Sequence, residues 1–191
     1  GYTGAGSRIA IIDTGADVDH PSLDPDALKY ALQGSNATIM TEADLTDEVL
    51  NQLNAYTRKA GLTAADFYVN EKIPFGFNYV DADTDITHDN DTQGDHGSHV
   101  TGIAAGNRFV KDEAGNYVAA LDSVMTQGVA PDAQILTMKV FGKRGGAYDS
   151  DYMVAIEDAM VLGADAANLS LGGSFPGYSE YTEEKYRHIL D

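Results

Sequence analysis

One segment near the amino end constrains the fold of this chain most. Arg8 leads into Ile9-Ala10-Ile11-Ile12, an apolar run rich in β-branched residues that stops abruptly at Asp13-Thr14-Gly15. A run without polar alternation reads as a strand buried on both faces, which belongs in a parallel sheet covered by helices. The chain supplies the other parts of such a sheet. Strands are predicted over Phe75 to Val80, Ile135 to Phe141 and Ala166 to Leu171. Helices are predicted from His96 to Gly106 and from about Ser150 to Leu162, the latter with Met153, Ile156 and Met160 on one face and Gly163 as its stop. Residues 41–59 read as one amphipathic helix, with a Thr41–Asp44 capping box and Leu45, Val49, Leu53 and Tyr56 at helical spacing. Thr63 to Asp66 is a second, shorter capping signal, and residues 17–37 read as loop. Strands alternating with helices predict an α/β fold: three layers around a mostly parallel sheet.

A chain of 191 residues suffices for one domain with a sizeable core, and residues 1–191 read as part of a single domain. The formal net charge of −18 disfavours nucleic acid and anionic lipid as partners. With no cysteine, disulfides, thiol nucleophiles and Cys-ligated metals are excluded. No apolar run is long enough to span a bilayer. Neither Gly1-Tyr2-Thr3-Gly4 nor Arg187-His188-Ile189-Leu190-Asp191 reads as a natural terminus, so the sequence is expected to be a piece of a longer protein.

Asp13 falls where a buried strand ends, the place where open α/β sheets bind ligands. A carboxylate there can orient a histidine and stabilise its imidazolium; it can equally be a turn Asp bonded to nearby amides. His96 opens a predicted helix and can serve as general base and then general acid. His99 is expected to pack inside, and without a His-Glu-x-x-His pattern the two histidines do not read as a metal site. The loop bearing Asp81, Asp83, Asp85, Asp89 and Asp91 has the hard oxygen donors that suit calcium, but not EF-hand spacing; a solvated acidic loop is the preferred reading. No cofactor is required, and calcium stays open.

In order along the chain, Ile9-Ala10-Ile11-Ile12-Asp13-Thr14-Gly15, His96-Gly97-Ser98-His99-Val100, Gly128-Val129-Ala130-Pro131-Asp132-Ala133 and Asn168-Leu169-Ser170-Leu171-Gly172-Gly173 resemble the motifs of the subtilisin family of serine peptidases. The resemblance implies that Asp13 is the orienting acid and His96 the general base. It implies that Ser170, Leu171 and Gly172 bind substrate backbone, as an extended strand pairs with an extended peptide. Gly145, Gly146 and Ala147 resemble the opposite wall of that cleft, although an ordinary glycine-rich loop explains them equally well. The family's Gly-Thr-Ser-Met-Ala type segment with the nucleophile, and its Ala-Gly-Asn type segment with the oxyanion Asn, do not occur in this sequence. The expected partners are a polypeptide substrate and the downstream half of the same catalytic domain, and this chain alone is expected to be inactive. The long stretch between Asp13 and His96, with Asp66-Phe67-Tyr68-Val69-Asn70-Glu71-Lys72-Ile73-Pro74-Phe75-Gly76-Phe77-Asn78-Tyr79, resembles lactocepin-type cell-envelope proteinases and the related complement-cleaving streptococcal peptidases. That implies an extracellular, wall-attached protein of a Gram-positive bacterium.

Three other readings compete. Ile11-Ile12-Asp13-Thr14-Gly15-Ala16-Asp17 resembles the active-site segment of dimeric aspartic peptidases, which need two carboxylates sharing a proton. An inactive relative, or an acidic calcium-binding or adhesion module, would keep the fold without the chemistry. Dinucleotide binding through Gly4-Ala5-Gly6 fails because those glycines precede the strand.

Overall fold

The computed structural model of the chain describes residues 2–89 and 91–172. Four strands form its parallel sheet: β1 (Arg8–Asp13), β2 (Phe75–Asn78), β5 (Gln134–Lys139) and β6 (Ala166–Asn168), in the order β2-β5-β1-β6. In register, Ile11 lies opposite Thr137 and Asn168, and Asp13 lies opposite Lys139. The predicted α/β fold is therefore present, with β2, β5 and β6 ending two or three residues before the predicted carboxyl ends.

Alternation along the strands divides the side chains between two faces. Phe75, Phe77, Tyr79, Leu136, Met138, Ala10 and Ile12 point to one face and pack with α2 (Asp47–Leu50), α3 (Asn54–Arg58), α4 (Ala64–Phe67) and α7 (Asp149–Val161). Ile11, Ile135 and Ala133 point to the other and pack with Leu23, Ile73, Ile86 and Ala105 of α5 (His96–Ala105). These are the three layers.

The predicted helix over residues 41–59 is broken. A 3₁₀ turn over Glu42–Asp44 carries the expected capping box, in which the Asp44 carboxylate accepts from the Thr41 N–H and hydroxyl. Thr46 then caps α2, and α3 begins where the buried Asp158 carboxylate accepts from Asn54 N and Ala55 N at 2.7 and 2.9 Å. New caps restart the helix twice, and only Leu45, Leu50, Leu53 and Ala55 of the stretch are fully buried.

Residues 17–37 are not all loop. A 3₁₀ turn spans Pro21–Leu23, and α1 (Pro25–Ala31) follows, with the Asp24 side chain as its N-cap and Pro25 in the first turn. An unforeseen hairpin pairs β3 (Phe109–Lys111) with β4 (Tyr117–Ala119) and leads into α6 (Ala120–Ser123). It packs on α1 through Tyr30, stacked on Tyr117 and edge-on to Phe109. In α7 the buried face is Asp151, Ala155, Asp158 and Ala159; Met153 and Ile156 are half-buried, and Met160 is exposed. Two buried carboxylates with partners on α3 rotate the helix away from the predicted Met face: Asp151 pairs with Arg58, and Asp158 holds Asn54 and Ala55.

Candidate active site

Both ends of the candidate dyad are positioned by close backbone packing. Asp13 is the last residue of β1 and is fully buried. Gly15 follows with φ +107°, and a Cβ there would lie 2.2 Å from the Ile86 carbonyl oxygen. A Cβ on Gly97 would lie 2.1 Å from the Gly15 carbonyl oxygen. Glycine at both positions is what lets the first turn of α5 rest on the turn after Asp13. Side chains finish the junction: Thr14 Oγ1 accepts from Gly97 N at 2.8 Å, and Ser98 Oγ accepts from Asp17 N at 2.7 Å.

The junction sets His96 Nδ1 2.7 Å from Asp13 Oδ1, which also accepts from Thr14 N at 2.7 Å. A carboxylate oxygen can only accept here, so Nδ1 carries a proton, which in a neutral ring leaves Nε2 as the basic nitrogen. The His96 side chain is half exposed, while the Asp13 side chain is sealed. Among the described residues, Asp13 Oδ2 has no hydrogen-bond partner.

The cleft candidates fall on the same carboxyl edge of the sheet. Asn168, the last residue of β6, is level with Ile11, and Ser170 follows two residues beyond the end of that strand. Ser170 is exposed and its hydroxyl donates to Asn168 Oδ1 at 2.9 Å; Leu171 packs against the aromatic face of the core, and Gly172 is open. Gly173, the last residue of that motif, lies outside the described residues. On the far side, Gly145 and Gly146 take φ of +81° and +88°. A Cβ on Gly145 would lie 2.5 Å from Gln93 Nε2, so this wall abuts the segment leading to His96. Ala147 is half-buried beside them.

Two expectations need correction. His99 is exposed, because the face of α5 turned to the sheet is Gly97, Thr101 and Ala105, one turn apart each. The acidic loop is not simply solvated. Asp91 is buried in an ion pair with Lys139, and Lys143 pairs with Asp83 and Asp85 at 3.4 and 3.2 Å. Burial works against Asp85 ionisation, but bonds from Thr87 and Lys143 hold its carboxyl below the ordinary range. Those three carboxylates are engaged by lysines, and no group of three or more candidate metal ligands is found among the described residues. Thr14, Ser98, Asp91 and Lys139 were not foreseen as parts of the site. The readable signal for Lys139 is a lone charged residue in a strand that otherwise carries none.

A buried Asp coupled to a half-exposed His, at the carboxyl ends of a parallel sheet, defines an α/β protein equipped for general-base chemistry. Residues 4–189 match the sequence model of the Peptidase_S8 subtilase family. The chain belongs to the subtilase family, which displaces the aspartic-peptidase reading. It is similar to the PI-type proteinase of Lactococcus lactis subsp. cremoris (35% identical over 178 residues), covering 90% of this chain and 8% of that protein. It is similar to the minor extracellular protease Vpr of Bacillus subtilis, 30% identical over 91% of this chain and 15% of that one. A C5a peptidase of Streptococcus pyogenes is 29% identical over 95% of this chain and 13% of its own length. The expected kinship with the lactocepin-type and complement-cleaving peptidases is thus met. The chain spans less than a fifth of the length of each of these relatives. Among solved structures, sphericase aligns over 98% of this chain and 43% of its own, with 23% identity and a TM-score of 0.47.

Proposed function

We propose that this chain supplies the Asp–His half of a subtilisin-type serine endopeptidase site, residues 1–191 being the N-terminal part of one catalytic domain. The observation that carries the reading is the 2.7 Å contact between Nδ1 of the half-exposed His96 and the sealed Asp13 carboxylate. His96 takes the proton from a serine hydroxyl as that oxygen attacks the scissile carbonyl. Asp13 stabilises the imidazolium so formed. The imidazolium then protonates the departing amine, leaving an acyl-enzyme, and the same residues activate water to release the acid. The serine and the oxyanion donor come from a segment beyond this sequence. Ser170, Leu171 and Gly172 form one wall for an extended peptide, and Gly145, Gly146 and Ala147 the other. The substrate is a polypeptide. The similarity to secreted and cell-envelope proteinases supports an extracellular, wall-attached enzyme of a Gram-positive bacterium.

Fluorophosphonate labelling tests this reading, with the chain alone and in the intact protein that contains it. Labelling only in the intact protein, on a serine outside residues 1–191, is the expected result. Labelling of Ser170, or of Ser174 outside the described residues, would move the nucleophile into this chain. No labelling of the folded intact protein would make it an inactive relative.

A further inference from the structure

Lys139 is a fully buried cation at the carboxyl end of a central strand, in register with Asp13. Packing alone does not account for it, since Leu or Met would fill the space without the cost of desolvating an ammonium. Its contacts are specific. Nζ donates to the Thr14 carbonyl oxygen at 2.6 Å and forms an ion pair with Asp91, whose side chain is itself 2% exposed. Thr14 belongs to the turn that follows Asp13. Asp91 belongs to the segment that leads to His96. One ammonium therefore grips both strings of backbone that present the dyad. The lysine stem lies under the same junction, with its Cδ 3.3 Å from where a Gly15 Cβ would be. The backbone of β5 runs on beside it, and Val140 N donates to the Asp13 carbonyl oxygen at 2.9 Å.

We propose that Lys139 is a positioning residue: its buried ammonium, bonded to Thr14 O and Asp91, fixes the loop before His96 against the turn after Asp13 and so sets the Asp13–His96 contact. The proposal rests on the peptidase reading for its effect on rate, but its effect on the dyad does not. Breaking a buried pair from one side leaves a charge without a partner, whereas removing both charges leaves none. That difference separates positioning from mere support.

The test uses Lys139→Met, Asp91→Asn and the double variant in the intact protein. The measurements are the unfolding midpoint, kcat and KM on a soluble peptide, and the downfield proton resonance of His96 Nδ1–H. Lys139→Met should lower kcat at least tenfold with KM within twofold, and should broaden or abolish the resonance. Asp91→Asn should act in the same direction with a smaller loss. The double variant should recover the midpoint while keeping the kcat deficit and the altered resonance. Recovery of midpoint, kcat and resonance together would make the pair structural and overturn the proposal. So would a folded Lys139→Met with wild-type kcat and resonance. Should Lys139→Met fail to fold, wild-type values in Asp91→Asn would overturn it equally. A wild-type protein that neither turns over peptide nor takes up fluorophosphonate would sink the peptidase reading alone, because the resonance still reports on Lys139.

Discussion

The two faces of the sheet are built from the same strands yet do opposite work. On one, Phe75, Phe77, Tyr79 and Phe67 form a continuous aromatic cluster with ring centroids 5.1 to 5.7 Å apart, closed over by α7. On the other, the strand ends carry Asp13, Thr137 and Lys139, and α5 approaches on glycine and threonine rather than on bulk. Among the described residues, three buried polar atoms without a partner, Asp13 Oδ2, Thr101 Oγ1 and Thr137 Oγ1, belong to the α5 face. On the aromatic face the buried Tyr79 donates its hydroxyl to Asp158 at 2.9 Å. Aromatic bulk is concentrated on one face, and buried charge at the strand ends of the other.

If that division holds, the largest effect of any single change is on rate. In the intact protein His96→Ala should lower turnover by roughly 10⁴- to 10⁶-fold, as loss of a triad member does. The variant also takes a donor from the sealed Asp13 carboxylate, so a modest fall in the unfolding midpoint should accompany the loss of rate. Unchanged turnover would remove His96 from the reaction. The mirror experiment is Phe77→Ala, which should cost about 3–5 kcal/mol of stability. The kcat of the fraction that remains folded should stay near wild type. A folded Phe77→Ala with depressed kcat would show that the two faces are coupled.

Gly97→Ala probes the seam. The new Cβ would overlap the Gly15 carbonyl oxygen, and the first turn of α5 must lift to relieve it. A displacement of about an ångström at a reacting group can cost on the order of a hundredfold in rate. The expected result is a loss of that size in kcat with a smaller loss of stability. A variant with wild-type kinetics would mean that the dyad tolerates movement of its scaffold.

How much of this was legible in the sequence follows the same line. The Asp13 turn and the start of α5 were readable, because a short apolar run ending in Asp-Thr-Gly and a His-Gly pair are local patterns with local causes. The family resemblance named six cleft candidates, and they follow the carboxyl ends of β5 and β6. What could not be read were consequences of contacts across the fold. Asp158 starts α3 from more than a hundred residues away and so breaks the helix expected over residues 41–59. Arg58 pairs with Asp151 and helps turn α7 so that Met160 faces out. Asp91 was one carboxylate of a run until Lys139 claimed it. The Asp24-Pro25 cap of α1 is the exception: that signal was local and was passed over.

Among the described residues a second lysine is fully buried, and contrast with the first sharpens the comparison least in size but most in kind. Lys139 has a carboxylate partner at the carboxyl end of β5. Lys72 lies at the amino end, donating only to the carbonyl oxygens of Pro131 and Ala133, each at 2.8 Å. Asp132 is near, but its carboxylate is taken by Arg108 at 2.8 Å. Burial pushes the Lys72 ammonium down to about 7, with Asp132 opposing the shift only in part. In the unfolded chain the same group titrates near 10.5. Between those values the unfolded state holds the extra proton, so stability should rise with pH across the window. Below about pH 7 both states are protonated and the full penalty of the buried charge is present. The neutral amine, by contrast, meets two carbonyls with two N–H donors and leaves no charge in the core. Urea unfolding of wild type and Lys72→Met from pH 6.5 to 9.5 isolates this group, because other titrations cancel in the difference. Wild type should gain on the variant steadily above pH 7, and parallel curves would show that Lys72 stays charged in the folded protein.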